Sequence, residues 1–386
     1  MCTGCTGSHL GHDQESSALS RRTAIAGAVA GTLAASATLS AAPADAAEPA
    51  FPHHSHKGPG LDLVLLGTQA GPPVESSRKG IASALVVDGS TYVVDCGRSA
   101  VSQYVEAGLK LSSIEGIFVT HLHHDHVADY FNFFLLGGNV PNTRGDSLPS
   151  SVEVYGPGPA GGLPGAHDGT RPPLIHPDNP APGLLDLTNS CMDAYAYSSN
   201  IFMLSGAVSD LRSRVKVNEI ALPGIDASYQ NTAPVMRPFR VMEDDKVRVT
   251  AVLVPHGPVF PSFAFRFDTD HGSVTFSGDT TYTPNISTLA RNCDVLVHEA
   301  LNIQGFQGPP GLLENLRSHH VEVQKVGPIA QEAGASHLVL SHIGDLAEGT
   351  LDERKWRHWA QEGYDGTVTV GRDLQRFTRR RRRSGA

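Results

Sequence analysis

Gly116-Ile117-Phe118-Val119-Thr120-His121-Leu122-His123-His124-Asp125-His126 runs from an apolar strand straight into four potential metal ligands within six residues. The spacing decides the reading. His121 and His123 alternate onto one side of an extended turn, while Asp125 and His126 can turn toward a neighbouring ion, so one short loop serves two metals. His124, out of step, points away. Imidazole and carboxylate ligands with open positions suit Zn²⁺, although ligand type alone also admits Mn²⁺ or Fe.

Outward from this loop, other polar residues end apolar runs: Asp95 in Val93-Val94-Asp95-Cys96-Gly97, His256 in Val254-Pro255-His256-Gly257, Asp279 in Phe276-Ser277-Gly278-Asp279-Thr280, and His342 in Leu340-Ser341-His342. Singly, each is an ordinary polar residue at a strand end; together they mark a site where loops converge. Short β-branched or aliphatic runs predict strands over 61–66, 84–87, 91–94, 116–120, 247–254, 263–267, 273–276, 295–297 and 338–340. Helices are predicted over 99–107, 127–136 and 321–333. Two sheet-rich halves with attached helices imply an α/β chain built as an αββα sandwich. Residues 137–240 read as an irregular insertion between the halves, with a Gly/Pro-dense piece over 156–183.

The 386 residues are 40% hydrophobic and 18% charged, with 40 Gly and 26 Pro, enough apolar content for a sizeable core with many turns. That excludes global disorder, collagen and a coiled coil. No run of about 18 strongly apolar residues occurs, which excludes a multi-span membrane protein. The net charge is −9 even though a run of five arginines, residues 379–383, lies near the end of the chain. An acidic body is poorly suited to general nucleic-acid binding. Residues 372–386 read as a basic, solvated C-terminal tail.

Ser20-Arg21-Arg22-Thr23, a weakly hydrophobic Ala-rich stretch and Ala44-Asp45-Ala46 resemble a twin-arginine export signal over 1–46, followed by a linker over 47–60. The expected location is outside the cytoplasm, extracellular or in the cell envelope. Of five cysteines, Cys96, Cys191 and Cys293 follow the cleavage point and form no disulfide framework; separate free thiols or one pair fit the spacing.

Taken in order, Leu65-Leu66-Gly67-Thr68, the Asp95 strand, the HxHxDH loop, His256, the Ser-Gly-Asp-Thr turn and the closing His342 resemble the metallo-β-lactamase superfamily, and within it the ribonuclease Z-like and arylsulfatase-like hydrolases. The likeness covers residues 61–371. It implies the metallo-β-lactamase fold, with His121, His123 and His256 on one zinc, Asp125, His126 and His342 on a second, and Asp279 bridging both. It casts Asp95 as a hydrogen-bonding support for the loop. The flavin-linked di-iron branch resembles H-x-E-x-D, so His123 speaks against redox chemistry.

Two metals about 3.5–4 Å apart would hold a bridging hydroxide and neutralise charge developing on a phosphoryl, sulfuryl or carbonyl centre. Ser318-His319-His320-Val321 lies where ribonuclease Z-like enzymes carry a proton-donating histidine, and counting back from Ile329 selects His320. Val297-His298-Glu299-Ala300 resembles a segment of the same enzymes, from which Glu299 can orient His320. The resemblance thus expects His320, Glu299 and Asp125 as catalytic residues and a small-molecule ester as substrate: a phosphate or sulfate ester or a phosphodiester. The alternatives are lactonase or β-lactamase-type hydrolysis, ribonuclease Z-type cleavage of RNA, and a non-catalytic metal-binding role. Only 23 positions separate His256 from Asp279, too few for the basic arm of the bacterial RNA-processing enzymes. Homo-oligomer formation is left open.

Overall fold

The strand β1 (Leu61–Gly67) is buried along its whole length because its two faces meet two cores. Leu61, Leu63 and Leu65 pack with Phe265, Phe267 and Val249, whereas Val64 and Leu66 pack with Tyr104, Phe133 and Phe134. A period-two alternation that is apolar on both sides demands cover on both sides. The computed structural model describes residues 59–379, apart from 75–76, 139–140, 142, 144, 150, 167–168 and 347–350. The export signal read over 1–46, nearly all of the linker and residues 380–386 therefore lie outside the described residues.

Beside β1 lie β2 (Ala82–Val87), β3 (Ser90–Val94), β4 (Ile114–Phe118), β5 (Val152–Gly156) and β6 (Val215–Glu219). The second sheet holds β7 (Phe239–Glu243), β8 (Val247–Leu253), β9 (Phe263–Thr269), β10 (Gly272–Phe276), β11 (Val295–Asn302), β12 (His337–Asp345) and β13 (Thr367–Val370). A last strand, β14 (Arg376–Arg379), returns to pair antiparallel with β1. The sheet orders are β14-β1-β2-β3-β4-β5-β6 and β13-β12-β11-β10-β9-β8-β7. Each sheet is antiparallel at one end and parallel at the other, from β3 to β6 and from β10 to β13. Phe118 of β4 stacks on Tyr155 at 4.9 Å and meets Phe265 of β9 edge-on at 5.6 Å, so aromatic packing crosses from sheet to sheet.

Helices α1 (Ala100–Glu106), α2 (His124–Val127), α3 (Asn132–Leu135), α4 (Leu184–Ala194) and α5 (Ala196–Leu204) belong to the first half. Helices α6 (Pro284–Leu289), α7 (Pro310–His319), α8 (Val326–Ala333) and α9 (Glu353–Gln361) belong to the second. This is the αββα sandwich expected. None of these helices is long and apolar enough to cross a membrane.

Four expectations are corrected. The stretch 137–240 is not all insertion: β5 and β6 extend the first sheet and β7 edges the second. Its Val-Glu-Val-Tyr-Gly strand buries every second residue, a pattern too short to stand out among flanking Gly and Pro. The apolar helix expected over 127–136 is broken: α2 ends at Val127, and beyond it only Asn132–Leu135, α3, is helical. The helix expected from Val321 starts at Val326 after a 3₁₀ turn, and His320 instead caps the C-terminus of α7 in extended conformation. Residues 376–379 are not the solvated tail expected from residue 372, since Arg376 to Arg379 pair with β1 and Arg379 bonds Asp294 at 2.7 Å. Cys96, Cys191 and Cys293 are free thiols.

Candidate metal centre

The site forms where strands of both sheets end. Phe263 N–H at the start of β9 donates to Thr120 O at 3.0 Å, joining the histidine loop of the first sheet to the second. Gly278, with φ +59°, lets the Ser277-Gly278-Asp279 turn pass beneath that loop; a Cβ there would lie 2.5 Å from Phe263 O. His342 sits where β12 slips register against β11, with φ +46°.

These elements bring seven side chains into two groups sharing Asp279: His121, His123, His256 and Asp279, and Asp125, His126, Asp279 and His342, with the ligand atoms of each group within 4.8 Å of one another. In the first, Asp279 Oδ2 is 3.9 Å from His121 Nε2 and 3.7 Å from His256 Nε2, and His123 Nδ1 faces His256 Nε2 at 3.0 Å. In the second, His342 Nε2 lies 3.2 Å from both Asp125 Oδ2 and Asp279 Oδ2, and His126 Nε2 is 3.3 Å from Asp279 Oδ1. His124 belongs to neither group and is exposed.

The far sides of the His126 and His256 rings are held by other contacts. His126 Nδ1 donates to Asp95 Oδ2 at 2.9 Å, while Asp95 Oδ1 accepts from Thr120 N–H at 2.8 Å. Asp95 thus orients the loop, itself at φ +57°. His256 Nδ1 donates to His319 O at 2.8 Å, fixing the tautomer whose Nε2 faces the cluster. Gly71 N–H donates to Asp125 Oδ2 at 3.0 Å. Nothing in the sequence marked Gly71 or the His319 carbonyl, because backbone donors and acceptors carry no residue signature.

The buried nitrogens His121 Nε2 and His126 Nε2 and the oxygen Asp279 Oδ1 have no hydrogen-bond partner. Buried polar atoms are normally satisfied, so convergent orphans of this kind fit a cation. Burial pushes the His121 imidazole far down and His256 to about 3, leaving both neutral with lone pairs available. Burial opposes the proton on His126, but Asp279 and Asp95 outweigh it and hold the ring well above its ordinary value. Burial also opposes charge on Asp279, yet His342 and His126 hold it well below the carboxylate range. The donor set fits two divalent cations.

Beside this cluster, His320 Nδ1 donates to Glu299, 3.1 Å from Oε1 and 3.2 Å from Oε2. Glu299 is buried and also accepts from Thr280 N–H at 2.9 Å. Burial opposes the charge on His320, but the Glu299 carboxylate outweighs it and the imidazole is pushed up to about 9. The ring stacks on His342 at 5.6 Å, so the pair borders the second ligand group.

The metallo-beta-lactamase superfamily description matches residues 78–141, and a beta-lactamase superfamily domain matches residues 183–343. The chain belongs to the metallo-β-lactamase superfamily and is a metal-dependent hydrolase. Within the superfamily it is ribonuclease Z-like: it is 26% identical over 318 residues to the ribonuclease Z of Mycobacterium bovis (strain BCG / Pasteur 1173P2), which covers 82% of this chain and 97% of that protein. The ribonuclease Z of Mycobacterium avium (strain 104) is 27% identical over 319 residues, with the same coverage. Among solved structures, human tRNase Z, short form, has a TM-score of 0.53 at 21% identity, over 82% of this chain and 98% of that one. The metallo-beta-lactamase fold protein YhfI from Bacillus subtilis has a TM-score of 0.53 at 16% identity, over 83% and 100%. At such identities the two structures speak for the fold alone.

Proposed function

We propose that the protein is a dinuclear zinc hydrolase of phosphate or sulfate esters, phosphodiesters foremost, with His320 as the proton donor to the leaving group. The observation that carries this reading is the His320–Glu299 pair beside the two ligand groups. His121, His123 and His256 would hold one ion, Asp125, His126 and His342 the other, and Asp279 both. Such a pair of ions supplies a strong nucleophile from water at neutral pH and neutralises charge developing on the ester oxygens. The protein's own part is proton management. His320 keeps Nδ1–H on Glu299 and offers Nε2–H to the departing oxygen as the ester bond breaks, so that the product leaves as an alcohol. Asp125, steadied by Gly71 N–H and by His342, stays ionised.

A ribonuclease Z-type activity is the second reading, favoured by the names of relatives matched over nearly their whole length. Against it, the interval from His256 to Asp279 is filled by a short turn and the β9–β10 hairpin, without a basic arm. Export is part of the proposal, on the strength of Arg21-Arg22 and Ala44-Asp45-Ala46. The test is a panel on zinc-loaded protein: a bis-aryl phosphodiester, an aryl sulfate, a phosphomonoester, a lactone, a β-lactam and a precursor transfer RNA. Preference for the phosphodiester or another phosphate or sulfate ester supports the proposal; a lactone or β-lactam preference overturns it, and efficient RNA cleavage replaces it with the second reading.

A further inference from the structure

On the His320 side of the site a cavity of about 330 Å³ opens between α7, the end of β12 and the loop after β1. His320 and His342 form its inner wall. Its remaining lining is largely apolar: Leu301, Phe306, Leu312, Leu316 and Ile343. Among the described residues that line it, the charged side chains besides His320 are Arg78 and Asp345, both engaged within the fold, and Gln69 and Ser77 add uncharged polar groups. Arg78 donates to Thr68 Oγ1 at 2.6 Å and Gly371 O at 2.7 Å. Asp345 accepts from Asn302 Nδ2 at 3.0 Å and Trp356 Nε1 at 3.2 Å.

We infer that this cavity is the leaving-group pocket and that it takes an apolar group, an aryl or branched alkyl moiety esterified through oxygen. The inference rests on the reading of His320 as proton donor, because the leaving oxygen must lie within hydrogen-bond reach of that ring. Whatever carbon skeleton the oxygen carries then enters the space His320 borders. The volume is about twice the roughly 150 Å³ of an apolar cavity that holds one benzene, which leaves room for a substituted ring. A sugar or a charged group placed there would lose water without gaining partners among Leu312, Leu316 and Phe306. Pockets of this kind bind through apolar walls and orient through a few polar groups. Here His320 is the polar group that fixes the oxygen end.

The discriminating feature is that the released alcohol should bind on its own. Calorimetric titration of zinc-loaded protein with 4-tert-butylphenol, 4-hydroxybenzoate and adenosine should give binding of the first at least about 30-fold tighter than of the other two, the scale on which an apolar pocket separates ligands. Leu316→Asp and Leu312→Asp, each checked for an intact melting transition, should weaken 4-tert-butylphenol at least tenfold. Leu312 is 46% exposed, so its substitution carries the test should the Leu316 variant fail to fold. Phosphodiesters of the same phenols should show the same order in kcat/KM. Equal binding of phenol and hydroxybenzoate, tighter binding of adenosine, or no effect of either substitution in folded protein overturns the inference. Tight phenol binding with no ester turned over upholds the pocket and sinks the proposed function instead.

Discussion

His126 reaches in two directions at once: its Nδ1 donates to Asp95 at 2.9 Å while its Nε2 lies 3.3 Å from Asp279. The Asp95 contact sets the tautomer, and the tautomer decides whether the ring presents a lone pair to the second ligand group. A carboxylate behind a ligand histidine typically governs ten- to a hundredfold in metal affinity. Asp95→Ala should therefore weaken one of two zinc ions by about that factor, measured by competition with a chelator, while Asp95→Asn retains part of it. Unchanged affinity for both ions would remove Asp95 from its supporting role.

Asp279 is shared by both ligand groups. Wild-type protein should hold about two zinc ions per chain and Asp279→Ala one or none, since a carboxylate facing both sites anchors both. Elemental analysis after dialysis reads the ratio. A wild-type content near one, unaltered in the variant, would dismiss the dinuclear centre without touching the fold.

The HxHxDH loop, the glycine turn before Asp279 and the strand-end residues were legible because metal ligation demands particular side chains at particular spacings. What the chain hid was of another kind. Strands β5 and β6 are short and set among Gly and Pro, and their parallel pairing is a long-range property that no local pattern announces. The strand at Arg376 to Arg379 reads as a solvated basic run until β1 is there to pair with it. Helix α7 runs through His319, so the donor histidine His320 sits at a helix end rather than a helix start. The Gly71 amide and the His319 carbonyl act through backbone atoms and leave no trace in residue type.

Metal-free protein offers a pH test of the His320–Glu299 pair. The folded imidazole is raised to about 9, above the ordinary histidine value near 6.5, so its contribution is fully present below 6.5 and is lost as pH rises through 9. Glu299→Gln should remove that contribution, roughly 3 kcal/mol at the acid end of this window. Denaturant unfolding of both proteins at pH 6 and pH 9.5 checks it. Wild type should lead at pH 6 and lose most of that lead at pH 9.5; a lead independent of pH would mean the two groups do not share a charge.

Export is tested at the leader. Arg21→Lys combined with Arg22→Lys should retain precursor inside the cell, and the secreted wild-type chain should begin near Ala47. N-terminal sequencing reads the cleavage point. An active secreted product that still carries residues 1–46 would refute it.

The account stands or falls on His320 as donor to the leaving group. Leaving-group protonation is worth typically 100- to 10,000-fold and matters least when the leaving group is already stable. The decisive measurement is kcat of wild type and His320→Ala on two phosphodiesters that differ only in leaving group, one a basic alkoxide and one a nitrophenolate, with zinc content measured on the same samples. The account predicts a large loss on the alkoxide ester, a small loss on the nitrophenyl ester and unchanged zinc. Equal losses on both esters, or a zinc deficit in the variant, would contradict it and make His320 a structural or metal-holding residue.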